Sequence, residues 1–284
     1  MPQNQRIVRT ENALRKQAKD WTCAGVTTAF VPTMGALHDG HLSLVRLAKK
    51  KADRIIVSIF VNPTQFAPGE DLDAYPRTEK ADVAMLKAEG VDLIYIPRAG
   101  SMYNAHHATS IHIGGVAQGL ETNHRPTFFN GVVLVVTKLF NRVRPDIAIF
   151  GEKDYQQLAT VRRLSEDLDM PVKIIGAPIA RDASGLALSS RNQYFDATGL
   201  NIARQLNVIM RACAKAIKNG KDISSETAIC SKTLVDAGFD AIDYVTVVNA
   251  RTLEPLTHTS ENTPKRLLIA AHCKGVRLID NCAI

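Results

Sequence analysis

Between residues 27 and 178 the chain alternates short runs of β-branched and aliphatic residues with stretches whose apolar positions recur every three or four. The runs are TTAFV from Thr27, RIIVSIFV from Arg54, VDLIYIP from Val91, IHI from Ile111, DIAIFG from Asp146 and VKIIGAP from Val172. Helical patterns follow His41, span about Glu79 to Glu89, begin at about Gly131 and follow Asp154. Runs that are apolar on both faces, separated by helices, predict a parallel sheet covered on both sides. The expected architecture is α/β: a Rossmann-like, doubly wound parallel sheet. Ligands of such sheets bind beyond the carboxyl ends of the strands, so the residues just after those ends come under scrutiny first.

After Arg181 the pattern changes. A loop, SGLALSSRNQYF, precedes a long amphipathic helix from about Thr198 to Lys218, a second near Ser224 to Ala237, and two late strands, IDYVTVV and RLLIAAH. Helices followed by strands predict a separate, smaller C-terminal α+β unit. The expected division is residues 1–179 and 180–284.

Composition narrows the class. In 284 residues, 45% are hydrophobic and 22% charged, which excludes a disordered or fibrous chain. The start, MPQNQRIVRTEN, has no apolar core of signal-peptide length, and no stretch approaches the roughly 18 apolar residues of a membrane helix. A cytoplasmic protein with no membrane partner is expected. Five cysteines, an odd number without a C-x-x-C pair, support neither a disulfide framework nor a cysteine zinc site. They read as reduced and structural.

The net charge of +7 suits nucleic acid, an anionic membrane or a polyphosphate substrate equally. The longest basic run, KKKADR from Lys49 to Arg54, has no interleaved aromatics and sits at a predicted helix end, where cations complement the dipole. It reads as a solvated helix terminus.

Four strand-end or loop stretches carry candidate chemistry. Gly35-Ala36-Leu37-His38-Asp39-Gly40-His41 has the glycine spacing of a P-loop, but His41 and Leu42 stand where Lys and Ser/Thr belong. Glycines still let backbone approach a ligand, and a helix N-terminus favours phosphate. Two histidines three apart can hydrogen-bond phosphate oxygens or donate to charge developing on a leaving group. The competing reading makes His38 and Asp39 turn and cap residues. Zinc ligation lacks a third ligand, and no metal site is expected.

VNPTQF leaves Asn62 and Gln65 at a strand end, where amides can hold a small polar ligand, although N-P alone is also a turn signal. DIAIFG ends at Gly151, followed by Glu152, Lys153 and Asp154 and a helix carrying Gln157. Lysine there can neutralise phosphate and aspartate can accept from ribose hydroxyls, or Asp154 can simply cap the helix. Ser189-Ser190-Arg191 could clamp a pyrophosphate or form a turn.

Together, in this order, PTMGALHDGH, VNPTQF, RPDIAIFGEKDYQQL and ALSSRN resemble the signatures of the pantothenate synthetase (pantoate-beta-alanine ligase) family, within the nucleotidyltransferases that carry a HIGH box. The resemblance spans about residues 5 to 280. It implies ATP-dependent condensation of (R)-pantoate with beta-alanine through a pantoyl-adenylate, releasing AMP and pyrophosphate. It also implies magnesium accompanying ATP, a homodimer, and a small domain that covers the nucleotide. By resemblance, Met34 through His41 line the ATP site, with His38 and His41 near the phosphates and His41 the proton donor. Gln65 and Gln157 hold pantoate, with Met34 and Asn62 beside them. Gly151 and Asp154 bind ribose, Glu152 lines the same turn and Lys153 meets phosphate. Ala180 lies beside adenine, and Leu188, Ser189, Ser190 and Arg191 cover the nucleotide.

The chain departs from the family's R-P-T-H-F-R-G-V-x-T, with Phe128 for a histidine, Asn130 for an arginine and Leu134 for a threonine. Phe128 is expected either to face the site or to pack with Phe129 and Leu134. One rival is another HIGH-type nucleotidyltransferase acting on a phosphorylated substrate; the paired glutamines argue against it, since such a substrate calls for more cations. A basic nucleic-acid-binding module is the rival from another class. Against it stand 6% aromatics and scattered charge, so no nucleic-acid partner is expected.

Overall fold

A computed structural model describes residues 6–66, 72–73, 75–258 and 263–284. The first five residues, part of the start read above for a leader, lie outside them. The chain divides into two compact units: Met1–Glu152 with Gln157–Pro178, and Lys153–Gln156 with Ile179–Ile284.

In chain order the first unit carries β1 (Arg6–Val8), α1 (Glu11–Cys23), β2 (Thr28–Thr33), α2 (Asp39–Lys49), β3 (Arg54–Ile59), α3 (Glu79–Ala88), β4 (Leu93–Tyr95), the short α4 (Ala99–Met102) and α5 (Glu121–His124), α6 (Phe128–Val143) and β5 (Ile147–Gly151). α7 (Tyr155–Asp167), whose first two residues belong to the second unit, and β6 (Lys173–Ala177) complete it. The strands form one six-stranded sheet in the order β1-β4-β3-β2-β5-β6, and every pairing is parallel. This is the Rossmann-like, doubly wound sheet that the apolar runs predict.

Those runs form strands because both faces are covered. Phe30 and Phe140 meet edge to face on one side of the sheet. On the other, Val31, Val57 and Ile94 share a cluster with Val45, Ala48 and Leu86 from α2 and α3. The strand order reverses beside β2, which pairs with β3 through Val31↔Val57 and with β5 through Phe30↔Ala148. Such a reversal opens a crevice beyond the strand ends, and the turns after β2, β3 and β5 leave from there.

IHI is a correction. Ile111 to Ile113 is irregular, and the Ile113 N–H donates to the Asn130 side chain at 3.2 Å instead of to a ladder. Three alternating residues bury too little to hold a strand without a pairing edge.

The second unit holds α8 (Ala197–Lys218), α9 (Ile223–Asp236) and an antiparallel sheet in the order β7 (Ala241–Asn249), β8 (Lys265–Cys273), β9 (Val276–Ala283). Ala203, Leu206, Met210, Ala214 and Ile217 recur on one face of α8 and pack with Leu234 of α9 and with Val247, Leu267 and Ile269 of the sheet. Asp196 caps α8 by accepting from the Gly199 N–H at 2.7 Å, and Asp222 caps α9 through Ser225 at 2.8 Å. Cys213, Cys230, Cys273 and Cys282 are buried thiols, and Cys23 is exposed.

Candidate active site at the strand ends

β2 ends at Thr33, and the chain turns sharply. Gly35 has φ +87° and Ala36 φ +50°, so two successive residues adopt the left-handed region. A buried carboxylate holds this turn: Asp82, in the first turn of α3 and 1% exposed, accepts from the Ala36 N–H at 3.1 Å and the Leu37 N–H at 2.9 Å. The Thr78 hydroxyl donates to the same carboxylate at 3.1 Å. Gly35 is favoured here by its φ, and a Cβ would also crowd the tether, lying 3.0 Å from Asp82 Oδ2.

His38 is the N-cap of α2, and its Nδ1 accepts from the Gly40 N–H at 3.1 Å. His41 closes the box, its Nδ1 accepting from the His38 N–H at 3.4 Å. A backbone N–H can only donate, so in this arrangement both rings present Nδ1 as acceptor and carry their proton on Nε2. The ring centroids lie 4.2 Å apart. The cap reading and the ligand reading of His38 are therefore compatible, because capping uses one ring nitrogen and fixes the other as a donor. The glycine spacing pointed to backbone amides for phosphate; those of Ala36 and Leu37 are held by Asp82 of α3, and those of His38 and Gly40 by the ring Nδ1 atoms.

The turn after β3 is built on Asn62, which is 1% exposed. Its Nδ2 donates to the Gly131 carbonyl at 3.1 Å, and its Oδ1 accepts from the Tyr103 hydroxyl at 2.8 Å and the Thr64 hydroxyl at 3.0 Å. The same Nδ2 lies 3.2 Å from Gln65 Oε1, which leaves Gln65 Nε2 directed to Met34 Sδ at 2.9 Å. Gln65 thus stands against the loop that carries the histidines, with its amide oriented by Asn62. Burial of Tyr103 pushes its phenol above the usual range, so it stays a hydroxyl donor to Asn62.

α6 starts against this turn. Gly131 allows the approach, for a Cβ there would sit 2.1 Å from the Thr64 carbonyl oxygen. Arg125 donates to the Gln65 carbonyl at 3.2 Å and lies over the Phe128 ring, 3.9 Å from its centroid. Phe128 also lies 5.0 Å from the Phe129 ring. It therefore supports the arginine that holds the Gln65 turn. Gln157, half-buried, lies in the first turn of α7; Gly151 ends β5, and Glu152 starts the short turn that follows it.

In the second unit, Lys153 is half-buried and Asp154 exposed. The Asn281 Nδ2 donates to the Lys153 carbonyl at 2.9 Å. Ala180 and Leu188 are brought together, the Leu188 N–H donating to the Ala180 carbonyl at 2.9 Å. Ser189 caps a short turn by accepting from the Arg191 N–H at 3.2 Å, Ser190 opens that turn, and the Arg191 side chain is exposed. Among the described residues no helix is long and apolar enough to cross a membrane, and no group of three or more His, Cys, Asp or Glu could hold a metal ion.

Asp82, Tyr103 and Gly131 build the candidate site and were not singled out for it by the sequence reading. Asp82 sits 46 residues from the amide it holds, and its setting, ADVAML, reads only as a helix start. Asp82→Asn is expected to leave one loop N–H facing an amide NH2, costing about 1 to 3 kcal/mol. Urea unfolding measures this, and an unchanged midpoint would show that the carboxylate is dispensable to the loop.

The family model described as pantoate-beta-alanine ligase matches residues 6–283. A pantothenate synthetase from Mesorhizobium japonicum is 52% identical over 275 residues, 97% of this chain and 96% of that protein. One from Rhodopseudomonas palustris is 51% identical over 285 residues, 100% of each. The crystal structure of pantothenate synthetase from Thermus thermophilus matches with a TM-score of 0.89 at 38% identity, covering 98% of each chain. A pantoate-beta-alanine ligase from Francisella tularensis, in complex with beta-gamma ATP and beta-alanine, matches with a TM-score of 0.81 at 32% identity, over 98% of this chain and 97% of that one.

Proposed function

The chain belongs to the pantoate-beta-alanine ligase family, and we propose that it joins (R)-pantoate to beta-alanine in two steps at the ends of β2 and β3. The observation that carries this reading is the contact of a neutral amide, Gln65, with Met34 of the loop that bears the paired imidazoles. An amide beside an anion-binding loop suits a hydroxy-acid better than a phosphorylated substrate, which would call for cations.

In the first step a pantoate carboxylate oxygen attacks the α-phosphorus of ATP. The bond to the β-phosphate breaks and pyrophosphate leaves with its charge. His38 and His41 donate from Nε2 to phosphate oxygens, with charge developing on the pyrophosphate side; they act as hydrogen-bond donors whose Nδ1 atoms stay in the cap. Gln65 holds pantoate together with Gln157, and Asn62 acts through Gln65, its own amide being engaged with Gly131 and Tyr103. In the second step the beta-alanine amine attacks the acyl carbon of the mixed anhydride, AMP departs and the amine proton passes to solvent. Adenylation is needed because a carboxylate oxygen is a poor leaving group.

Lys153 meets phosphate in this reading, Gly151 and Asp154 the ribose, and Ala180 and Leu188 to Arg191 the rest of the nucleotide. These assignments rest on the motif match. Magnesium belongs to the substrate as its ATP complex, held by phosphate oxygens and water; the donor set among the described residues offers no separate cage for it. The reading also carries over a homodimer and a cytoplasmic setting.

Incubating the protein with ATP, magnesium, pantoate and beta-alanine is expected to yield AMP and pantothenate in equal amounts, with no accumulation of ADP. ADP as the main nucleotide product would overturn adenylyl transfer in favour of phosphoryl transfer.

A further inference from the structure

β9 carries two buried polar residues in succession, Asp280 and Asn281, each 2% exposed. Burying such a pair inside a strand is costly unless both are fully engaged, and here both are. Asp280 takes a two-pronged contact from Arg181, whose NH1 and NH2 donate to its two carboxylate oxygens at 2.6 and 2.8 Å. Arg181 lies in a small hairpin: it bridges Ala187, and its NH1 also donates to the Gly185 carbonyl at 3.0 Å. That hairpin pairs Ala180 with Leu188 and leads directly into Ser189.

Asn281 faces the other way along the chain. Its Nδ2 donates to the Lys153 carbonyl at 2.9 Å, and its Oδ1 accepts from Arg266 Nε at 2.6 Å. A carbonyl can only accept and Nε–H can only donate, so the amide has one orientation. Arg266 in turn stacks 3.8 Å over the ring of Tyr155, two residues beyond Lys153, and the Tyr155 hydroxyl donates to the Ala250 carbonyl at 2.8 Å. The Asn281 N–H donates to Asp280 Oδ1 at 2.7 Å, which joins the two halves.

We infer that the Asp280–Asn281 pair is a positioning device that sets the Lys153 turn and the Ala180–Leu188 hairpin in register with each other, Asn281 acting on the reaction through Lys153. The inference rests on the reading that puts Lys153 on the phosphates. All of its members belong to the second unit, so the register is fixed within a single packed body.

The test is a double-mutant cycle read by pantoate-dependent exchange of labelled pyrophosphate into ATP, with urea midpoints on every protein. Asn281→Asp keeps shape and the acceptor for Arg266 but loses the donor to Lys153; Asn281→Ser serves if the aspartate variant does not fold. Either change is expected to lower kcat for exchange roughly 10-fold, the size of one lost hydrogen bond made to an oriented group, with KM for pantoate moved less than about 2-fold. In a Lys153→Ala background the same change is expected to add nothing further. A deficit that multiplies with that of Lys153→Ala, or no deficit in the otherwise native protein, overturns the positioning role while leaving the family reading intact. Unchanged exchange in Lys153→Ala alone overturns the placing of Lys153 on the phosphates, and the role of Asn281 falls with it.

Discussion

His41→Ala will slow pantoate-dependent pyrophosphate exchange by roughly 10² to 10³, the loss seen when one preorganised donor is taken from a developing charge. The ring does two things that can be separated. Its Nδ1 accepts from the His38 N–H and closes the cap of α2, and in the proposed reaction its Nε2 carries the proton offered to the ligand. Asparagine at position 41 places an oxygen near the Nδ1 position but has nothing that reaches the Nε2 position. His41→Asn should therefore recover the stability lost in His41→Ala, about 1 kcal/mol for a cap contact, while exchange stays slow. Thermal melts and exchange rates on the two variants decide the matter. Near-native exchange in His41→Asn would reduce the residue to a cap.

Gly131→Ala is expected to be the most destabilising small substitution near the site. The added methyl carbon would lie 2.1 Å from the Thr64 carbonyl oxygen, 2.5 Å from its carbon and 2.7 Å from the Gln65 nitrogen. All three are backbone atoms, so no side chain can swing aside. Either α6 or the Pro63–Gln65 turn must move, and with it go the Asn62 contact to the Gly131 carbonyl and the Arg125 contact to Gln65. The cost should reach about 3 kcal/mol, and pantoate binding should weaken with it because Gln65 loses its orientation. Urea unfolding and pantoate titration measure the two effects. A native midpoint would mean that the helix slides past the turn at no cost, contrary to the packing described.

The parallel sheet was legible because covering both faces leaves uninterrupted apolar runs that polar punctuation marks off. Two strands escaped. β1 is three residues, RIV, too short for any periodicity, and β9 reads VRLIDNCA, its apolar rhythm broken by Arg277, Asp280 and Asn281. Two of the residues that hide β9, Asp280 and Asn281, are ones it buries, and their partners, Arg181 and Lys153, are 99 and 128 residues away. At the site, the residues on local motifs, His38, His41 and Gln65, could be singled out from spacing and family pattern. Which of their atoms are already engaged was not legible in the same way. The Nδ1 atoms, the Asn62 amide and the loop N–H groups are committed by contacts that span from two to 69 residues. No one-dimensional pattern encodes that commitment.

The tether from Asp82 to the turn after β2 has a thermodynamic consequence for any ligand. Two residues in the left-handed region would lower the order of an untethered loop, and a ligand would then have to freeze them as it bound. With a buried carboxylate already holding the Ala36 and Leu37 amides and the Thr33 hydroxyl accepting from Gly35, that ordering is completed during folding, when α3 packs on the sheet. The loop can meet any ligand as a pre-ordered surface, which removes the cost of freezing it from the entropy that opposes association.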